Sequence, residues 1–384
     1  MSAPLPGAGD HAPLTARERR LLLWLAVGAI SWRWVTAQRT PMPGVDGCHD
    51  LWLAAELAQG HVGAFATAWW HGLWALLLAP FLAAGLPPFF TAHLLAAIVG
   101  GLVVWPVAAA AQRLREGAGV PAAVLAAVAA GPVLAAGAGA PTALTCLVVA
   151  MASLAVARAR PVVALLLLLT AALAGADAVR VDPGTLWTQW RVGLGPMLLL
   201  WPVAWLPPRP PRARWLHFVA LLVITIAVAT GTVAALAPAW TPLLAVLGGV
   251  GLARLAGRWR DLLLCVVVGV DFLSAWQRVE PAAAAEERWL GRYLAHEHGG
   301  RGELVSDLPR VAWAFGSRPL PYTMAQLLTV AAREDTVLLV LGPGIVDRAT
   351  AITTLGATFG RCRLSVDGDE AAATIGATVL LRRP

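Results

Sequence analysis

"LWALLLAPFLAAGL", residues 73–86, is the stretch on which the architecture turns. It carries no charge and is apolar enough to enter a bilayer. As a helix it would be about 21 Å long, short of the roughly 30 Å hydrocarbon core. Its reading also sets the side of everything after it. Arg17, Arg19 and Arg20 precede the first apolar run, and later breaks carry Arg113 and Arg115, then Arg158 and Arg160. Arg209, Arg212 and Arg214 follow, then Arg254, Arg258 and Arg260. The breaks between these, GAGAP, DAVRVDPGTLWTQWR and PAWTP, are neutral or mixed. Arginine-rich breaks therefore alternate with arginine-poor ones, the pattern of cytoplasmic and outer loops. Counting 73–86 as a span would break that alternation. It reads instead as a helix at the outer interface, with Trp69, Trp70 and Trp74 at headgroup level.

The spans that remain are 21–38, 89–111, 120–138, 142–157, 161–176, 193–206, 215–236, 241–257 and 261–277. They predict a polytopic α-helical membrane protein of about nine spans, with its N-terminus cytoplasmic. Composition agrees: 58% of residues are hydrophobic and 13% charged, against about 25% charged in ordinary soluble domains. The chain has no lysine, so all 29 cationic residues are arginine. With the heavy use of Ala, Gly and Pro, this points to a GC-rich bacterial genome. The net charge of +7 sits in short loops and is explained by topology, so no nucleic-acid partner is assigned. Cys48, Cys146, Cys265 and Cys362 are scattered without a CxxC, which supports neither a zinc ribbon nor a disulfide framework. No small-residue cleavage site follows the first apolar run, which reads as an uncleaved first span.

From about residue 280 the composition changes. EERWLGRYLAHEHGG reads as an amphipathic helix, GELVSDLPRVAWAFGSRPLPY as a strand, turn and helix, and DTVLLVLGP as a buried strand. CRLSVDG and ATVLLRRP read as two more strands. The expected domains are a cytoplasmic tail (1–20), a transmembrane domain (21–279) with an outer loop (39–88), and a small extracytoplasmic α/β domain (280–384). No GxGxxG, P-loop, HExxH or GxSxG motif occurs in the last of these.

The outer loop concentrates the ionisable chemistry. "PGVDGCHDLWLAAELAQGHVGAFATAWWHGLW", residues 43–74, holds Asp46, Asp50, Glu56, His49, His61 and His71. The order Asp46, AELAQG, an aromatic-rich turn, LWALLLAPFLAAGL, an apolar span and QRL resembles integral-membrane glycosyltransferases of the GT-C class. These are the polyprenyl-phosphate-sugar-dependent enzymes grouped with protein mannosyltransferases and the lipid A aminoarabinose transferase. Asp46 to Gly60 matches that family's spacing from its essential acid to a glycine. The tail run ERWLGRYLAHEHGGRGELVSDLPRVAWAFGSRPLP is similar to the outer domain that closes many members.

The resemblance implies Asp46 as the catalytic carboxylate, deprotonating or orienting the acceptor. The alternative for Asp46 is a cap on a helix starting near His49. Asp50 and Glu56 could bond sugar hydroxyls, and Asp50 could equally serve a helix dipole. His71 lies where members often carry a basic or polar residue. For the lipid phosphate, Arg33 and Arg39 end the first span, while Arg180, Asp182 and Arg191 with Asp177 form an acid–base cluster in the third outer loop. Arginine pairs suit phosphate geometry; interface anchoring is the other explanation. The histidines are too far apart in sequence for a compact metal signature, and no metal or cofactor is assigned beyond the lipid-linked sugar donor. The expected partners are that polyprenyl-phosphate sugar, the lipid bilayer, and a glycan, lipid or protein acceptor. The expected location is the bacterial inner membrane.

Two departures favour an alternative. The second outer loop, GAGAPTALT, lacks the acid that many members place there, and the position after Asp46 is Gly47. A catalytically altered or inactive scaffold of the same build is the competing expectation. A transporter fits less well, because charges are nearly absent from the spans, with Asp271 the main exception.

Overall fold

The computed structural model describes residues 14–39, 45–62, 72–129, 133, 142–158, 160, 162–164, 166–167, 241–255, 257–277, 282–298, 302–317, 329, 333, 336–343, 348–362 and 364–383. The spans expected at 161–176, 193–206 and 215–236 lie wholly or mostly outside these residues. Among those described, thirteen helices and four strands follow one another. They are α1 (Ala16–Gln38), α2 (Val45–Ala58), α3 (Gly72–Ala83), α4 (Pro88–Leu102), α5 (Val104–Leu114), α6 (Gly119–Val128), α7 (Thr142–Ala157), α8 (Thr241–Leu252) and α9 (Gly257–Gln277). Then come α10 (Ala282–His298), β1 (Glu303–Ser306), α11 (Pro309–Phe315), β2 (Thr336–Leu341), α12 (Arg348–Leu355), β3 (Phe359–Arg361), α13 (Val366–Thr374) and β4 (Thr378–Arg382). The chain divides into two compact units, one of Met1–Arg39 with His93–Arg278 and one of Thr40–Ala92 with Val279–Pro384.

The first unit is helical, and its apolar surface points outward as well as inward. Trp24, Val27 and Val35 on α1 are exposed, as are Trp259, Leu262, Val266, Val270 and Leu273 on α9. Such stripes are costly in water and natural against lipid. The run Pro88–Leu114 is the one helix among the described residues long and apolar enough to cross a membrane. It breaks at Val103 because Pro106 offers no N–H to the carbonyl of Leu102 and crowds it. Small residues let these helices approach closely. A Cβ on Gly249 of α8 would meet the Ala122 Cβ of α6 at 2.5 Å.

Three arginines finish the helices of this unit. The last carbonyls of a helix have no partner of their own, and away from water each costs free energy unless a donor reaches it. Arg33 is buried and donates to the carbonyls of Ala126 and Ala127, at 2.9 and 3.0 Å, in the last turn of α6. Arg115 donates from Nε to Ala253, just past α8, at 3.3 Å. Arg39 donates to Trp276 in the last turn of α9 and lies over its indole, 4.4 Å from the centroid. A cation there also meets the negative end of the helix dipole.

These contacts order the ends of the helices. Arg115 and Ala253 share one pole, and α9 starts there at Gly257. The other end of α9 meets the end of α1 through Arg39, so α1 and α9 run the same way. Trp32 of α1 reinforces this by stacking on Phe272, with centroids 4.3 Å apart. The arginines at the start of α1, after α5 and before α9 therefore gather at one pole.

The second unit holds α2, α3 and a four-stranded sheet of order β1-β2-β4-β3. β1 and β2 are parallel; β4 pairs antiparallel with both β2 and β3. Leu290 and Leu294 of α10 fill the core with Leu338, Val340 and Val379 from the sheet. The strand expected at CRLSVDG is instead three residues of β3 just before it. Ser365 then opens α13, its Oγ accepting from Gly368 N–H at 3.3 Å.

Candidate functional site

The acidic loop folds as α2, rich in Ala and Leu and ended by a specific turn. Gly60, at φ +86°, occupies the left-handed position after the helix, and its N–H meets the carbonyl of Leu57 at 3.0 Å. The N–H of His61 returns to the carbonyl of Glu56 at 2.9 Å. This pair of bonds is the Schellman turn, which glycine makes without strain. The glycine of AELAQG thus has a backbone reason. The turn also carries the side chain of His61 back over the helix end, where Nδ1 lies 2.9 Å from Oε2 of the buried Glu56.

From Gly47 to Ala58 no residue of α2 is exposed. A surface helix buries one stripe, so burial all round means packing on several sides. Helix α3 supplies one wall through Trp74, Ala75 and Leu78, and α11 another. Phe89, at the start of α4, packs at a tilt against Trp313 of α11, with centroids 5.5 Å apart and planes at 44°. Asp50 is 0% exposed within this enclosure, beside Cys48, Leu51, Leu53 and Ala54. A carboxylate so placed stays charged only where polar groups meet it.

Asp46 lies in the first turn of α2, because the helix starts at Val45 and not near His49. It therefore does not precede the helix as a cap, and it sits one turn before Asp50. Its side chain is outside the described residues, as are His71, Arg180, Asp182 and Arg191. Of the outer arginines read as phosphate ligands, Arg33 is committed to helix carbonyls. Among the described residues Arg39 meets one acceptor, the carbonyl of Trp276. Among the described residues no group of three or more His, Cys, Asp or Glu side chains could hold a metal ion.

The conspicuous residues of the tail are structural. Asp307 accepts from Gly342 N–H at 2.6 Å, and Ser306 Oγ donates to Val340 while accepting from Leu308 N–H, both at 2.9 Å. Together they fix the exit from β1 beside β2. Glu287 of α10 faces Arg310 at 3.4 Å. Burial pushes its carboxyl above the ordinary value, and the guanidinium only partly offsets this. The Cys362 thiol, 3.8 Å from His298, is pushed up by burial and secondarily by Asp369, so it is held as an unreactive thiol.

The sequence reading missed the Glu56–His61 pair and the seating of Arg33. The first had a signal, since a glycine cap brings the residue after it back beside the helix. The second had none, because its partners lie about 93 positions away. A comparison with known protein families matches none of them to this chain, and a comparison with curated proteins likewise gives no match.

Proposed function

We propose that the chain is an integral-membrane glycosyltransferase of the GT-C type, with about nine spans. It moves a sugar from a polyprenyl-phosphate carrier to a glycan, lipid or protein acceptor at the outer face of the bacterial inner membrane. The observation that supports this reading is the enclosed acidic helix α2, where Asp50 is fully buried one turn after Asp46. Burying a carboxylate in an apolar helix costs several kcal/mol unless it is compensated (of the order of 2–7 kcal/mol), so such residues mark functional sites. The bond from the anomeric carbon to the lipid phosphate breaks, and the phosphate leaves with the electron pair. The acceptor oxygen or nitrogen bonds that carbon and gives its proton to the Asp46 carboxylate.

The test is transfer from a panel of polyprenyl-phosphate sugars by the purified full chain, with Asp46→Asn beside wild type. We expect turnover to fall at least about 100-fold in the variant, the usual contribution of a positioned acid or base, with elution and melting unchanged. Undiminished turnover in Asp46→Asn would sink the proposal. The second reading, an inactive scaffold of the same build, is favoured by the missing carboxylate in GAGAPTALT. It predicts donor binding or partner co-purification with no turnover in either protein.

A further inference from the structure

Where α1 and α9 end together, four side chains form a surface that includes Arg39, one of the arginines read above for the lipid phosphate. Trp32, Phe272 and Trp276 stack with nearly parallel planes: Trp32 lies 18° from each of the others, and Phe272 lies 4° from Trp276. Phe272 and Trp276 are both open to the surroundings, Trp276 at 46%. Arg39 covers Trp276 from the polar side. Among the described residues one N–H of its guanidinium is bonded, to a main-chain carbonyl, and no carboxylate pairs with it. Five donors on a planar fork leave room for an anion. The indole N–H of Trp32 is shielded from solvent and has no acceptor among the described residues. A buried donor without an acceptor is uncommon and calls for one.

We propose that this corner is a binding site for the phosphate head of a membrane lipid. The head meets Arg39 and the Trp32 N–H, and the chain lies along the stacked rings and the outward apolar face of α9. Each part of the surface answers one part of such a molecule. The half-buried guanidinium, which has no counter-charge among the described residues, takes the phosphate, as arginine does wherever forked recognition is needed. The flat rings at the polar end of two apolar helices occupy the depth where aromatic belts meet headgroups. Leu273, Val270 and Val266 continue the apolar path along α9. The chemistry is shared by a polyprenyl phosphate and by an anionic glycerophospholipid. The proposal rests on the membrane reading but not on catalysis.

The experiment uses the full chain in nanodiscs of neutral phosphatidylcholine, doped with polyprenyl monophosphate or with phosphatidylglycerol, and counts retained lipid by native mass spectrometry. Inorganic phosphate in the buffer is the third arm. We expect retention of one or both lipids by wild type, a loss of at least tenfold in Arg39→Gln, and a loss of about threefold in Trp32→Phe. The last variant keeps the ring stack and removes only the donor, so it decides the matter if Arg39→Gln fails to fold. Polyprenyl phosphate alone retained makes the corner a carrier site, and both lipids retained make it a general headgroup site; either supports the proposal. Equal retention by wild type and variants overturns it, as does full displacement by inorganic phosphate. Turnover is not read, so a failure here leaves the transferase reading untouched, and an inactive protein still gives the answer.

Discussion

In α9 the outward residues include Trp259, Leu262, Val266, Val270 and Leu273, with the exposed charges Arg258 and Asp261 confined to its start, while the buried ones include Val267, Asp271 and Ala275. In α10, which begins at residue 282, the outward residues are Arg292, His296 and Glu297 along with Trp289, and Leu290 and Leu294 face the core. The two helices follow each other in the chain with opposite polarity. Neighbouring protein is available to both, so the membrane reading assigns the difference to what surrounds them. Lipid makes an outward valine cheap and an outward arginine dear, and water does the reverse. On the membrane reading proposed above, the surroundings change from lipid to water between α9 and α10, where the sequence also changes composition.

The largest effect that can break this comparison is on the inward side of α10. Leu290→Asp places a carboxylate at a fully buried position, and we expect it to cost more than about 4 kcal/mol and unfold the sheet. Limited proteolysis of the tail reads this directly; a protected tail would show that α10 is not inward at Leu290. The mirror experiment is Val270→Asp on α9. Against lipid it should cost about 2.5–3.5 kcal/mol of insertion free energy, read as lost membrane yield. A surface change in water costs within about 0.5 kcal/mol, so an unchanged yield would put α9 in water.

How much of this was legible beforehand depends on how local each signal is. The helix at 142–157 has the bounds that its apolar run predicts. α1 starts five residues before its apolar run because Thr15 and Glu18 form a capping box, with Glu18 N–H on Thr15 Oγ at 3.2 Å. That T-x-x-E was present in the sequence and was passed over for hydropathy. The break at Val103 follows from Pro106 and could have been read. In CRLSVDG the strand character of the apolar residues competes with the helix-opening serine, and the serine wins. At the candidate site, the glycine of AELAQG was legible as a motif and is now explained as a cap. The enclosure of Asp50 was not legible, since it depends on α11, which lies more than 250 positions downstream.

Gly60→Ala sharpens the comparison by being indifferent to solvent. Nothing lies within 4 Å of the added methyl, so its cost is the backbone strain of φ +86° alone, about 1–2 kcal/mol. A drop of a few degrees in melting, equal in detergent and in nanodiscs, is the expected result. The smallest effect belongs to Glu287. Its carboxyl is raised above the ordinary 4.5 by burial, with Arg310 opposing. The folded state therefore holds the proton more tightly than the unfolded one. That contribution is complete below about pH 4.5 and is lost as pH rises through the elevated folded value. The melting of the tail unit should fall over that interval in wild type and fall less in Glu287→Gln, with the helices of the other unit unmoved. A slope unchanged by the substitution would assign it to other groups.

The bond from Arg39 to Trp276 joins residues 237 positions apart. Synthesis delivers the first helix long before its partner, so Arg39 and Trp32 stay uncovered until α9 has been made. Contacts so distant in sequence close late and slowly. A chain truncated before residue 276 would present an uncovered guanidinium and an open ring to the insertion and degradation machinery. The seam between α1 and α9 thus closes only after residue 276 has been made, in the order in which the ribosome supplies its two halves.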